Sequence, residues 1–181
     1  MGVEIKGWDS LKRKIKVTPQ IMSNAVWDAT FDIVEEVDAR GVSKIQSSTK
    51  HSSGELAGST KHEVVVDGSG NIVGRVWSDK AQAIFREFGT GPVGEASKKD
   101  LPPGVNPVYS QEKWFIPVNL VAVDLQAVYG IPKIKIQEQE FYMTSGQPAR
   151  PWLYPSVKEI IEDIPGIYRD HVRKGLRELG N

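Results

Sequence analysis

The chain of 181 residues contains no cysteine, so disulfides, thiolate metal ligands and thiol nucleophiles are all excluded. It has only three histidines, His51, His62 and His171, far apart and without metal-ligand spacing. A net charge is missing too, since 23 Lys and Arg balance 23 Asp and Glu. That balance gives no polyanion-binding signature and little charge repulsion against self-association. No apolar run approaches the ~18 residues of a membrane span, so no membrane partner is expected. The first eight residues, Met1 to Trp8, carry charges where a secretory signal would need an apolar core, and a cytoplasmic protein is expected. No G-x-S-x-G elbow appears. Gly68, Gly70 and Gly74 lack the spacing of a dinucleotide fingerprint, and a strand pattern follows them.

What is present is ordinary for a globular fold: 39% hydrophobic and 25% charged residues, in a length that suits one domain, 1–181. Residues 11–17 interleave Leu11, Ile15 and Val17 with Lys12, Arg13, Lys14 and Lys16, compatible with an edge strand or a short amphipathic helix. Thr18-Pro19 then reads as an N-cap with proline at the first helical position. From there Ile21, Ala25, Ala29, Ile33 and Val37 recur every four residues, widened by Val26, Val34 and Ile45, which predicts a long helix from about 19 to the mid-40s. Asp28, Asp32, Glu35, Glu36 and Asp38 lie mostly off that stripe and are expected to face water.

Beyond a polar breaker at 47–54, single-turn spacing places Leu56 on the core. Two β-branched runs, 61–66 and 72–77, flank Asp67-Gly68-Ser69-Gly70-Asn71 and predict a hairpin. Ala83 to Gly91 packs Phe85 and Phe88, three apart and so on one helical face, ahead of a Gly-Thr-Gly exit. Both aromatics are expected as core anchors. Residues 92–113 hold four prolines and read as a flexible loop. Residues 114–118 read as a strand that Pro117 confines to an edge or bulge. The alternating 133–144 segment predicts a hairpin or protruding arm. A last helical stripe runs from Val157 to Leu179, with a kink or break expected at Pro165. The fold class is α+β: a long N-terminal helix, a central mostly antiparallel sheet with protruding loops, and a C-terminal helix.

Three stretches, in this order, resemble motifs of one family. Gly54-Glu55-Leu56-Ala57-Gly58-Ser59-Thr60 is similar to its "G-x-L-x-x-S-[IT]". Glu87-Phe88-Gly89-Thr90-Gly91 is similar to "E-F-G-T-G", and Pro148-Ala149-Arg150-Pro151-Trp152-Leu153-Tyr154-Pro155 to "P-A-R-P-F-[LI]-x-P". The family is the small minor tail or neck proteins of tailed bacteriophages, also called head–tail joining or tail-completion proteins. Gln82 before Ala83, Trp152 for phenylalanine and Ser156 for alanine depart from its pattern.

The resemblance implies a non-enzymatic virion protein at the head–tail connector or tail end, assembled in the bacterial host's cytoplasm and lacking a cofactor. Its expected partners are further copies of itself, commonly in a ring of six, other head-completion and tail proteins, and DNA passing through the lumen without sequence-specific binding. Within that setting Pro148, Pro151 and Pro155 are expected to fix an extended approach to the last helix. Trp152 and Leu153 would staple that approach to the sheet, and Arg150 would pair with Glu87. Gly89-Thr90-Gly91 would launch the 92–113 loop, which with the 133–144 arm would reach a neighbouring subunit.

Two other readings start from the residues themselves. Trp77, Trp114, Phe115 and Phe141, with Lys133 and Lys135, match the ingredients of a single-stranded nucleic-acid platform. Asp28, Asp32, Glu35 and Glu36 offer carboxylates for a metal-dependent hydrolase.

Overall fold

A computed structural model describes residues 7–48 and 52–179. The signal-peptide reading of the first six residues and the part of the 47–54 breaker that includes His51 lie outside it. The chain divides into two compact units. The first comprises 1–79 and 155–181, the second 80–154.

The first unit is built on helix α1, Trp8–Ser47. Its period-four stripe is buried as expected, with Ala25, Ala29, Thr30, Ile33, Val34, Val37, Gly41 and Ile45 inside. The helix begins eleven residues before the predicted start. Thr18 does not cap it: its hydroxyl donates to the Lys14 carbonyl (2.8 Å), an in-helix bond, and Pro19 lies inside the helix. Strands β1, Thr60–Val66, and β2, Ile72–Ser78, pair antiparallel as a hairpin against α1. Asp67 shapes their connection by accepting N–H bonds from Ser69 and Asn71 (2.9 and 2.8 Å). An alanine Cβ at Gly74 would overlap the Val34 side chain, so this glycine permits strand and helix to approach closely.

The C-terminal pattern does break near Pro165, into α5, Leu153–Ile160, and α6, Ile164–Glu178, with Pro165 in the first turn of α6. The division between the units falls inside α5. Helix α6 packs along α1, where Tyr168 meets the Thr30 hydroxyl (2.8 Å), Gly175 meets Ile21 and His171 meets Asp32 (2.8 Å). Ile161 and Leu176 belong to the predicted apolar stripe yet are exposed.

The second unit contains α2, Ala81–Phe88, α3, Gly91–Ala96, α4, Leu125–Tyr129, and three strands. Strands β3, Trp114–Pro117, β4, Lys133–Ile136, and β5, Gln139–Thr144, form an antiparallel sheet in the order β3-β5-β4. Pro117 therefore sits on an edge strand, as expected. The single central sheet becomes two sheets, and both are antiparallel. The 133–144 hairpin is not a protruding arm, because β5 is the middle strand and Tyr142 on it is 2% exposed.

Candidate functional site

The second and third motif stretches converge in the second unit. Helical spacing in α2 buries Ala83 and, one turn later, Glu87, which is only 8% exposed. Phe85, expected as a core anchor, is instead 48% exposed, and Phe88 is half-buried. The period that carries the small alanine inward carries the carboxylate with it.

Glu87 meets the N-terminus of α5. Its Oε2 accepts the backbone N–H of Trp152 (2.7 Å) and of Leu153 (2.9 Å), and its Oε1 accepts that of Tyr154 (3.0 Å). The start of a helix leaves four N–H groups without intrahelical acceptors. Glu87 takes three, and Pro155 next in sequence has no N–H to place. A carboxylate at this position also complements the positive end of the helix dipole. Charge-assisted bonds of this kind contribute about 1.5–3 kcal/mol each, which offsets burial of the charge.

This arrangement corrects two expectations. Arg150 does not pair with Glu87; its backbone N–H donates to the Arg86 carbonyl (2.8 Å) instead. Pro155 stands within the first turn of α5 and not in an extended approach. Burial, and then the nearby positive charge of Arg150, lowers the Arg86 pKa. Trp152, 2% exposed, is anchored to α2 and not to the sheet, its indole N–H donating to the Ala83 carbonyl (3.2 Å).

The Gly-Thr-Gly exit is locked into the same knot. Thr90 N–H donates to the Gln147 carbonyl (3.0 Å), Gln147 N–H returns to the Thr90 hydroxyl (3.1 Å), and the Gln147 side chain caps the Phe85 carbonyl (3.1 Å). Gly89 has φ 76° and ψ −178°, open essentially to glycine alone. A Cβ there would stand 2.6 Å from Gly94 Cα and 2.7 Å from the Ala149 nitrogen. Gly91 faces the Ser145 carbonyl as closely, and Pro148 and Pro151 lie in the same returning strand of chain.

The 92–113 stretch is therefore not a free loop. Its first residues belong to α3, the Ser97 hydroxyl accepts Ala149 N–H (2.9 Å), and the Tyr109 hydroxyl donates to the Phe88 carbonyl (3.0 Å). With α2 it encloses an apolar groove of about 480 Å³, lined by Ile84, Phe85, Phe88, Val105, Pro107, Val108 and Trp114 among others.

Gly54, Leu56 and Ser59 belong to the first unit and are not part of this knot. Ala57, not Leu56, is the buried residue of that turn. The Ser59 hydroxyl bonds the Leu56 carbonyl and the Ser78 hydroxyl (both 2.8 Å), tying the turn to the end of β2.

Of the residues behind the nucleic-acid reading, Trp77 lies in the first unit, whereas Trp114, Phe115, Phe141, Lys133 and Lys135 share the three-stranded sheet of the second, where Phe115 and Phe141 meet edge to face (6.5 Å). Lys133 is engaged by Asp124 (2.8 Å) and Lys135 by Glu138 (3.4 Å), which lowers the charge they offer a phosphate backbone. Of the helix acids, Asp32 bonds His171, Glu36 bonds Arg40 (2.6 Å), and Asp38 is turned inward to His62 (2.8 Å). No group of three or more potential metal ligands occurs among the described residues.

Sequence reasoning missed Gln147, Ser97 and the Ala83 carbonyl. The readable signal was the spacing of Ala83 and Glu87 on one face, opposite the aromatics. Comparison with known proteins gives no match to a family model, to a curated protein or to a solved structure.

Proposed function

We propose that this chain is a structural virion protein of a tailed phage or prophage, acting at the head–tail connector or tail end as one subunit of a ring around the DNA channel. The observation that carries the reading is the saturation of Glu87 by three backbone N–H groups. Both of its oxygens are committed to holding α5, so the motif works as architecture and not as a general base or ligand. The same turn leaves Ile84 and Phe85 exposed beside the apolar groove, a surface suited to protein contact.

Deleting the gene from the phage genome that carries it, followed by electron microscopy of lysates, tests the role. Filled heads accumulating apart from tails, and joined again when the gene is supplied in trans, are the expected result. Intact, infectious particles from the deletion strain would overturn it.

A further inference from the structure

Helix α1 spans forty residues, about 60 Å at 1.5 Å per residue, yet its buried positions begin only at Ala25. Every residue from Trp8 to Val17 is exposed. The apolar stripe nevertheless continues into this arm: Trp8, Leu11 and Ile15 follow the same 3-4 spacing that leads to Ala25 and Ala29. They stand 49%, 48% and 62% exposed. Residues 8–17 also carry Lys12, Arg13, Lys14 and Lys16 against Asp9 alone, four cations less one anion, or +3.

A complementary surface lies further along the same helix. Trp27 and Phe31, one turn apart, are both exposed. Residues 27–36 contain Asp28, Asp32, Glu35 and Glu36 with no cation, or −4. Asp28 and Glu35 are exposed and form no ion pair among the described residues. Two exposed apolar patches of opposite charge thus occupy one helix. The arm cannot fold onto the acidic patch of its own molecule, since Trp8 and Trp27 are separated by about 28 Å along the helix axis.

We propose that the N-terminal arm of α1 docks on the Trp27–Phe31 face of α1 in a second copy of this chain. Trp8, Leu11 and Ile15 supply the apolar contact, and Lys12 and Lys16 face Asp28 and Glu35. Because donor and acceptor are different surfaces, the contact is heterologous and propagates from copy to copy, closing into a ring where the rotation permits. The contact deepens the assembly reading above and rests on it.

The test uses the full chain and two charge reversals at exposed positions: an arm variant, Lys12→Glu with Lys16→Glu, and a face variant, Asp28→Lys with Glu35→Lys. Light scattering and sedimentation report mass, and circular dichroism confirms that each variant folds. The unmodified chain self-associates, and each variant alone does so at least about tenfold more weakly. An equimolar mixture regains assembly, because each reversed surface then meets its complement. A chain that stays monomeric to about 100 µM, variants that assemble like the parent, or a mixture that fails to recover would each overturn the proposal. Assembly indifferent to the reversals would remove this contact and leave the virion role standing. Intact particles from the gene-deletion strain would remove that role whatever the light scattering shows.

Discussion

The two units are held together by different physics. In the first, a helix buries a regular apolar stripe against a hairpin and a second helix, and polar contacts are mostly peripheral: Glu159 reaches Lys44 (2.6 Å) and Arg40 (3.4 Å) at the surface. In the second, three short helices and a small sheet are joined by backbone hydrogen bonds, glycines in close approach and one buried carboxylate. Periodic burial tolerates small changes because neighbouring side chains share the load. A knot of backbone contacts tolerates few, because backbone atoms have nowhere to move.

The largest expected effect separates the units by glycine alone. Gly89→Ala should destabilise the second unit by on the order of 4 kcal/mol, through its positive φ and the overlap with backbone of Gly94 and Ala149. Gly74→Ala in the first unit overlaps only side chains, those of Val34 and Thr30, and should cost about 1–3 kcal/mol. Denaturant melts of both would check this, and equal losses would break the distinction.

Next is the core of the first unit. Ile45, 2% exposed, should cost about 3 kcal/mol when changed to alanine. Hydrogen exchange should report the loss at α1 amides.

Glu87→Gln is somewhat milder. It keeps the shape but leaves one acceptor oxygen for three N–H donors, a loss of about 2 kcal/mol. The exchange rates of the Trp152, Leu153 and Tyr154 amides should rise together. Unchanged protection at those three sites would show that packing of Trp152 holds α5 without the carboxylate.

The smallest effect concerns Asp124, which caps α4 by accepting the N–H groups of Gln126 and Ala127 and also receives Lys133. The Lys133 hydrogen bond, then the backbone bonds, lower its pKa from 3.8 to about 2. A depressed folded-state value means that the stabilisation is fully present above the unfolded value and is lost as pH falls through the folded one. Asp124→Asn should therefore lower the melting temperature slightly at neutral pH, and the gap should narrow between about pH 4 and pH 2. An NMR titration placing the carboxylate near its ordinary value would contradict the assignment.

Much of the first unit was legible in the sequence because one repeated interaction generates it. The four-residue period from Ala25 to Ile45 identifies both the helix and its buried face, and the alternating runs around Asp67 identify the hairpin. Pro165 announced the break in the last helix for a similarly local reason: a ring that cannot continue the hydrogen-bond ladder. The early start of α1 was masked by Thr18-Pro19, whose capping preference is local, whereas the helix through it is continuous. Phe85 is exposed because the partner that α2 meets is a helix terminus in need of an acceptor, which draws the Ala83–Glu87 face inward in place of the aromatic one.

The sequence by itself determined the α+β class and the principal helices and strands, because each follows from periodicity or from the chemistry of glycine and proline. Only the tertiary structure decided that Glu87 serves the N-terminus of α5 and not Arg150, that 92–113 is bound down, and that 133–144 forms part of a sheet. Those outcomes depend on contacts with stretches from 21 residues away, as for Tyr109 and Phe88, to 65 away, as for Glu87 and Trp152, and local pattern carries no information about them.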